Sequence, residues 1–499
     1  MAQLNYFNGG LSTRLASHLI GVNEALVHTN IDVSKGTILP LKVDKDEATT
    51  VGKSMIYFKN KWVHSANDID YVIFQEKLYY SDATGIPQKS SDGITFYNLG
   101  IAKAAFAPNV TLVETGNLTG TYQWCYTYYN INDGTESMPS PYSAALVTTA
   151  DKVNVTVVAS ADPQVTNIRI YRLGGNLTVM SLVATITNVN QTYSDNLADT
   201  AIPADVLVSS TYGQAPSGLK YLTKANAMFF GAIEDKLYFS EIAYVNAWSP
   251  YNFIDFDEPI TAIGAVANGL TVCTEYATHI ITGTSPATLS KYLLSSNQGC
   301  LVHKTMQFIS NSLVWLSHDG LCASTGTDVQ VITRAKLGKL SFLYPTAAIV
   351  YDDIYYLAHQ DGMFVADLRF GAVFYNLTGT ADCFHVKNNT LYYGLDNKLY
   401  SLFGGSNNRK VSYRSPNYPD GAISTIKNYK TIYAYSSGDL TITIYIDGKR
   451  VTSDNLVAGM QEVHIPQQSR LGYYIGFEVA GIGELIELEY KVEGRQNGR

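Results

Sequence analysis

The chain has 499 residues, 35 Lys and Arg against 43 Asp and Glu, and a net charge of −8. It is not, as a whole, a basic nucleic-acid binder. No apolar run approaches the roughly 20 residues that span a bilayer, and "MAQLNYFNGG" has neither the basic nor the apolar region of a secretory signal.

Tyr is abundant at 37 residues and Pro scarce at 15. No long window carries apolar residues at helical spacing, whereas strand alternation recurs, as in "LTITIYIDG" from Leu440. The chain is therefore expected to be all-β. Its five cysteines, 125, 273, 300, 322 and 383, form no C-x-x-C pair. They are read as reduced small hydrophobes of a protein made in a reducing cytoplasm. The N-x-S/T matches at Asn109, Asn154 and Asn376 are then chance.

Residues 1–45 show little periodicity before "GTILPLK" and are expected to form an N-terminal arm leading into the first strand. Residues 46–105 hold the first copy of a recurring phrase, "EKLYYSD" from Glu76. It returns as "DKLYFSE" from Asp235 and "NKLYSL" from Asn397. Each is a polar turn followed by an aromatic-rich strand. Looser relatives lie between the later copies, with lead aliphatic residues Leu237, Leu270, Leu313, Ile354 and Leu391 at steps of 33, 43, 41 and 37. Short strands recurring every 35 to 45 residues or so are the mark of a β-propeller. Residues 46–105 and 207–405 are assigned to one propeller of six blades.

Residues 106–206 interrupt the repeat. A strand alternates Tyr122, Trp124, Tyr126 and Tyr128, turns at Asn132-Asp133-Gly134, and is followed by "KVNVTVV", "NIRIYRLGG" and "SLVATIT". This reads as an inserted β-sandwich of fibronectin type III or Ig-like kind. After Gly405 the phrase is gone, and residues 406–499 are expected to form a second small β-sandwich.

The search for chemistry is mostly negative. "SSDGITF", Ser90 to Phe96, approaches the Asp box of sialidase-type propellers, itself a folding turn. Glycoside hydrolysis needs two carboxylates about 5 to 9.5 Å apart. Glu275, Asp352, Asp353 and Asp367 are acids that a propeller could bring to its centre, yet Asp352 and Asp353 sit where a hairpin wants a polar residue anyway. His318 and His359 each precede a glycine turn, and no zinc, P-loop or dinucleotide motif is present. No catalytic residue, metal or cofactor is expected. One basic cluster, Arg334, Lys336 and Lys339, is either a solvated loop or a set of phosphate contacts.

Three stretches carry a resemblance. "NYFNGGLSTRLASHLIGVNEALVHTNIDVSKGTILPLK" is similar to the opening of phage structural proteins, and "DGITFYNLGIAKAAFAPNV" to their blade-to-insert junction. The region from "SEIAYVNAWSPYNF" through "NQGCLVHKT", Gln298 to Thr305, and "SHDGL" resembles their propeller core. The family is the tail nozzle protein of short-tailed bacteriophages, also called tail tubular protein B, with packaged-DNA-stabilisation proteins as relatives. The resemblance covers most of the chain and rests on the order of these stretches. It implies a structural virion protein: a homohexameric ring at the distal tail, below an adaptor or head-to-tail connector, beside fibres or spikes. Genomic double-stranded DNA would be held in, and ejected through, its channel. On this reading Arg14, Asn23 and Glu24 of the arm are candidates for assembly contacts, and Arg334, Lys336 and Lys339 for channel contacts with DNA. A virion-bound polysaccharide-degrading propeller and a receptor-binding protein are the alternatives.

Overall fold

The computed structural model describes residues 2–4, 6–340, 344–369 and 371–495. The chain is all-β, and among the described residues it has one four-residue α-helical turn, Arg334–Leu337, besides short 3-10 turns. No helix among these residues is long and apolar enough to cross a membrane.

Seven antiparallel sheets follow one another around a propeller. Blade 1 is a two-stranded hairpin, Ser54–Phe58 and Lys61–Ser65. Blade 2 has four strands, Asp70–Phe74, Lys77–Ser81, Gln88–Ser90 and Tyr97–Asn98. Blade 3 runs from Lys220–Ala225 to Phe253–Asp255, blade 4 from Ala262–Val266 to Ser290–Ser295, and blade 5 from Gln307–Ile309 to Gln330–Val331. Blade 6 runs from Ala347–Tyr351 to Val373–Leu377. Blade 7 combines Cys383–Lys387, Thr390–Leu395 and Lys398–Ser401 with Lys45–Thr50 from the start of the chain. Six blades thus have four strands each, blade 6 continuing through Val27–Thr29 into a nine-stranded sheet, and the short hairpin of blade 1 makes seven, which corrects the six blades expected: two strands make no full repeat for the sequence to show.

Each pair of neighbouring sheets shares an apolar layer. Val51 and Met55 meet Cys383 and Leu399 between blades 7 and 1, and Ile56 and Phe58 meet Leu78 between blades 1 and 2. Burying such aliphatic and aromatic side chains, at about 1.5 to 3 kcal/mol each, holds the ring of blades together. Two-residue turns join many strands. Asn226-Ala227, Asp352-Asp353, Asn388-Asn389 and Asp396-Asn397 all have positive φ, from +48° to +62°. These are the left-handed pairs whose twist matches a hairpin, and Asn and Asp tolerate them best. The Ser90–Phe96 stretch is a folding turn between the third and fourth strands of blade 2. Asp92 accepts the N–H groups of Ile94 and Thr95 and the Ser90 hydroxyl, which together hold its carboxyl well below the usual range.

Between blades 2 and 3 the chain builds a separate five-stranded β-domain. Its 21-residue strand Asn109–Tyr129 is shared. The first half pairs with Leu146–Val157, the second with Asn167–Gly174, and the register breaks between Val113 and Leu118. Tyr122, Trp124, Tyr126 and Tyr128 all enter one core with Val153, Val155, Ile168 and Ile170. At its edge the fully buried Arg172 is bracketed by Asp195 at 2.8 Å and Asp199 at 2.9 Å, and the Trp124 indole N–H donates to Asp195. Buried charge persists here because two carboxylates and the Leu197 carbonyl meet the two terminal guanidinium nitrogens, while Nε stays buried without a partner.

The last β-domain has two facing sheets, and the N-terminal residues belong to both. Ala2–Leu4 pairs with 488–490 in one sheet. Val27–Thr29 lies between Val411–Arg414 and the outer strand of blade 6 in the other. Phe7, Ala25, Ile31 and Ile38 are buried in its core. The expectation of an extended arm over 1–45 is therefore corrected. The segment lacks periodicity because it supplies two- and three-residue strands to different sheets, too short for alternation to show.

Candidate functional site

Polar and charged side chains line the cavities at the propeller axis. The connection from blade 4 to blade 5 carries a short turn, His303–Thr305. Cys300 and Thr305 fix it locally, both donating to the Val302 carbonyl. From that turn Lys304 Nζ reaches Asp68 at 2.6 Å, and His303 Nε2 lies 3.6 Å from Asp70, both acids being at the start of blade 2. Tyr221 completes the group from blade 3. Its backbone N–H donates to Asp70 Oδ2 at 2.9 Å, and its ring lies 4.5 Å from the imidazole. A bulge between Lys220 and Thr223 allows this placement, with Tyr221 at φ +60°. An aromatic residue with positive φ is strained, and such strain persists only where neighbours enforce it. Burial pushes the Tyr221 hydroxyl up to about 12 and the His303 imidazole down.

Asp70, His303 and Lys304 line two cavities at once. One, about 280 Å³, extends past Met55, Cys383 and His385 on the innermost strands. The other, about 320 Å³, extends past Ser81, Lys220 and Thr261. Lys304 therefore meets the Asp68 carboxylate across the axis, and His303, which burial favours in its neutral form, lies beside Asp70, an arrangement that ties the blade 4 to blade 5 connection to blade 2.

The acids weighed for catalysis lie elsewhere. None of Glu275, Asp352, Asp353 and Asp367 lines the axial cavities. Arg369 clamps Asp367 at 2.7 Å and Asp352 at 3.0 Å, while Asp353 occupies the adjoining turn. Glu275 contacts His318 at 3.0 Å beside the stacked Tyr276 ring, and His359 Nδ1 accepts the Asp361 N–H.

Arg14, Glu24, Arg334 and Lys336, drawn from two distant stretches of sequence, form one patch. The helical turn Arg334–Leu337 docks on the N-terminal segment, and the Lys336 carbonyl accepts the N–H groups of Thr13 and Arg14. Lys336 Nζ donates to the Gly9 carbonyl at 2.9 Å and pairs with Glu24 at 3.2 Å. Arg334 pairs with Asp319 at 3.1 Å, and its carbonyl accepts from Arg14. Asn23 is exposed, its carbonyl receiving the Gly9 N–H. Lys339 is exposed and makes no ion pair among the described residues. Two of the three proposed channel cations are thus engaged within their own chain.

Sequence reasoning missed the axial group. Its one signal was the "QGC" stretch ahead of His303 and Lys304; nothing in the sequence marks Tyr221.

No family model matches the chain, and no curated protein matches its sequence. Solved structures similar to it include BamB from Moraxella catarrhalis, 11% identical over 72% of this chain and 99% of that one, with a TM-score of 0.27. Apo AztD from Citrobacter koseri is 9% identical over 70% of this chain and 99% of that one, with a TM-score of 0.29. A glycoside hydrolase family 43 arabinoxylan arabinofuranohydrolase from Bacillus subtilis, in complex with cellotetraose, is 10% identical over 89% and 100%, with a TM-score of 0.19. Likenesses this low carry no argument about what the chain does. The propeller with additional β-domains stands on the sheet order described above.

Proposed function

We propose that this chain is a structural virion protein, a subunit of the ring that forms the distal tail nozzle of a short-tailed bacteriophage. The reading is supported by the ordered resemblance of its opening, its blade-to-insert junction and its propeller core. The observation that favours a structural role is the axial group. Lys304 meets Asp68 and His303 lies beside Asp70 there, so the polar side chains of the propeller centre engage one another. On this reading the DNA conduit lies between subunits rather than through the propeller, and the protein acts without catalysis or cofactor. Its partners are further copies of itself, an adaptor protein above, and fibres or spikes around it. The net charge of −8 suits a conduit, because a densely basic lumen would grip the phosphate backbone and slow release.

The test is electron microscopy of tails labelled through a tag on this chain, with its copy number per particle measured by quantitative mass spectrometry. A distal ring of six copies is expected. A threefold particle would assign the chain to a fibre, and release of reducing sugars from host polysaccharide by the purified chain would assign it to the depolymerase class.

A further inference from the structure

The outer strand of a propeller blade leaves one edge unpaired, and natural sheets guard such edges by shortness, cover or charge. Most blades here follow that rule. The outer strands of blades 2, 3 and 5 are two or three residues long. Val27–Thr29 covers the outer strand of blade 6 through Asn376. The outer strand of blade 7, Lys45–Thr50, opens with Lys45, Asp46 and Glu47 and kinks at Ala48, where φ is +53°. Blade 4 is the exception. Its outer strand, Ser290–Ser295, runs for six residues, with Tyr292 and Leu293 each 58% exposed on opposite faces. Among the described residues it pairs only with Thr278–Thr282. Lys291 Nζ donates to the Asp255 carbonyl at 2.7 Å, which leaves the ammonium two further N–H groups, and it makes no ion pair among the described residues.

The last β-domain ends one of its sheets in a second free edge of equal length, Gly459–His464. Met460 is 61% exposed there and stands opposite the exposed Tyr435. Glu462 is exposed on the same face as Met460, with His464 at 3.8 Å. This domain joins the propeller at blade 6, two blades away from blade 4. The two edges therefore lie at different places around the molecule.

We propose that copies of this chain associate head to tail by strand addition, Ser290–Ser295 of one copy pairing antiparallel with Gly459–His464 of the next. One register suits both strands. It sets Lys291 opposite Glu462 and Leu293 opposite Met460, so one face carries an ion pair beside an apolar pair, and Tyr292 meets Gln461 on the other. A parallel pairing that kept Lys291 beside Glu462 would set Leu293 against His464 instead. Main-chain hydrogen bonds supply the attraction in such an addition, and side chains select the partner. Because the two edges are different patches, the contact is heterologous and builds a ring or an open filament rather than a twofold dimer. The inference rests on the tail reading only in that copies of the chain meet.

A contact this short is weak beside the roughly 1,200 Å² of stable complexes, so the experiment traps it. Full-length Leu293→Cys and Met460→Cys are mixed and oxidised by air with a copper catalyst; the native cysteines are all buried. Thiols facing each other across paired strands can close a disulfide. The mixture is expected to give severalfold more cross-linked dimer than either variant alone. Tyr292→Cys, on the other face of its strand, should cross-link with Met460→Cys no better than a single variant does with itself. Adding Lys291→Glu to the first chain should lower the yield about two- to fivefold, the worth of a cross-strand charge pair, and adding Glu462→Lys to the second should restore it. All these positions are exposed, so wild-type melting midpoints are expected and are checked first. If a variant melts early, hydrogen exchange of the wild type carries the test, with Ser290–Ser295 and Gly459–His464 both slowing as protein concentration rises. Equal yields from the mixture and the single variants, equal trapping through Tyr292→Cys, a charge swap that restores nothing, or exchange independent of concentration would each overturn the proposal. A chain trapped in this register but absent from tagged tails would overturn the tail reading and leave the contact standing.

Discussion

His28 shows how one residue can couple folding to pH. It is wholly buried beneath Phe7, Tyr375 and Tyr413, its Nε2 lies 3.3 Å from the Phe7 carbonyl, and its Nδ1 has no partner. Burial lowers the imidazole from 6.5 to about 4. The folded state therefore keeps His28 neutral while the unfolded chain takes up a proton below pH 6.5 or so. Stability from this residue is complete above that pH and declines as pH falls toward 4. At pH 5 the loss should be about 2 kcal/mol, from 1.36 kcal/mol per pH unit. His28→Gln keeps a donor for Phe7 and does not titrate. Denaturant unfolding at pH 7.5 and pH 5 should find the wild type losing about 2 kcal/mol more than the variant. Equal losses would mean that His28 is protonated in the fold. Nothing in "EALVHTN" announces this role, because burial of a lone histidine depends on a core assembled from both ends of the chain.

At the scale of elements, the repeat was legible but its register was not. Lys-Leu-Tyr begins the second strand of blade 2 at Lys77, yet the third strand of blades 3 and 7 at Lys236 and Lys398. Aligning Leu237 with the second strands of later blades produced the short first step. Second strands begin at Met228, Gly269, Ser312, Ile354 and Thr390, and the spacings become 41, 43, 42 and 36. The phrase recurs because any strand leaving a tight polar turn favours the same residues, whichever strand it is. Blade 1 escaped notice because two strands make no full repeat. The inserted domain was plain, since four alternating aromatic residues bury one face of a single strand. The turns allow a quantitative test. Gln75 and Glu76 occupy a left-handed pair at φ +47° and +60°, where neither side chain is favoured. Glu76→Gly should stabilise by about 0.5 to 1 kcal/mol, the relief of left-handed strain less the entropy that glycine loses. The same change at Asn397, already tolerant of φ +62°, should gain less. Thermal unfolding of the two variants side by side reads the difference, and a larger gain at Asn397 would refute the account.

For the whole molecule, the N-terminal segment is the part that binds the rest together. It enters both sheets of the last β-domain, touches blade 6 through Thr29 and Asn376, closes blade 7 through Lys45–Thr50, and receives the helical turn after blade 5. Glu24 and Lys336, nominated from sequence for two different external contacts, meet each other at this junction. Their side chains are 18% and 29% exposed, which sets the pair above an open surface bridge and below a fully buried one. Lys336→Glu should therefore cost on the order of 1 kcal/mol, placing two carboxylates together and removing the bond to the Gly9 carbonyl. The swap Glu24→Lys with Lys336→Glu should recover part of that loss, leaving the Gly9 bond unmade. Lys339→Glu, at an exposed side chain without an ion pair, should leave stability within about 0.5 kcal/mol. Measuring unfolding and genome retention in virions for all three separates two roles. Retention lost with Lys339→Glu alone marks contact with DNA. Retention that falls with Lys336→Glu and returns with the swap marks the junction instead, because the swap leaves position 336 acidic and restores only the pairing. If Lys336→Glu unfolds like the wild type, the segment is held by its buried apolar residues and the ion pair adds nothing.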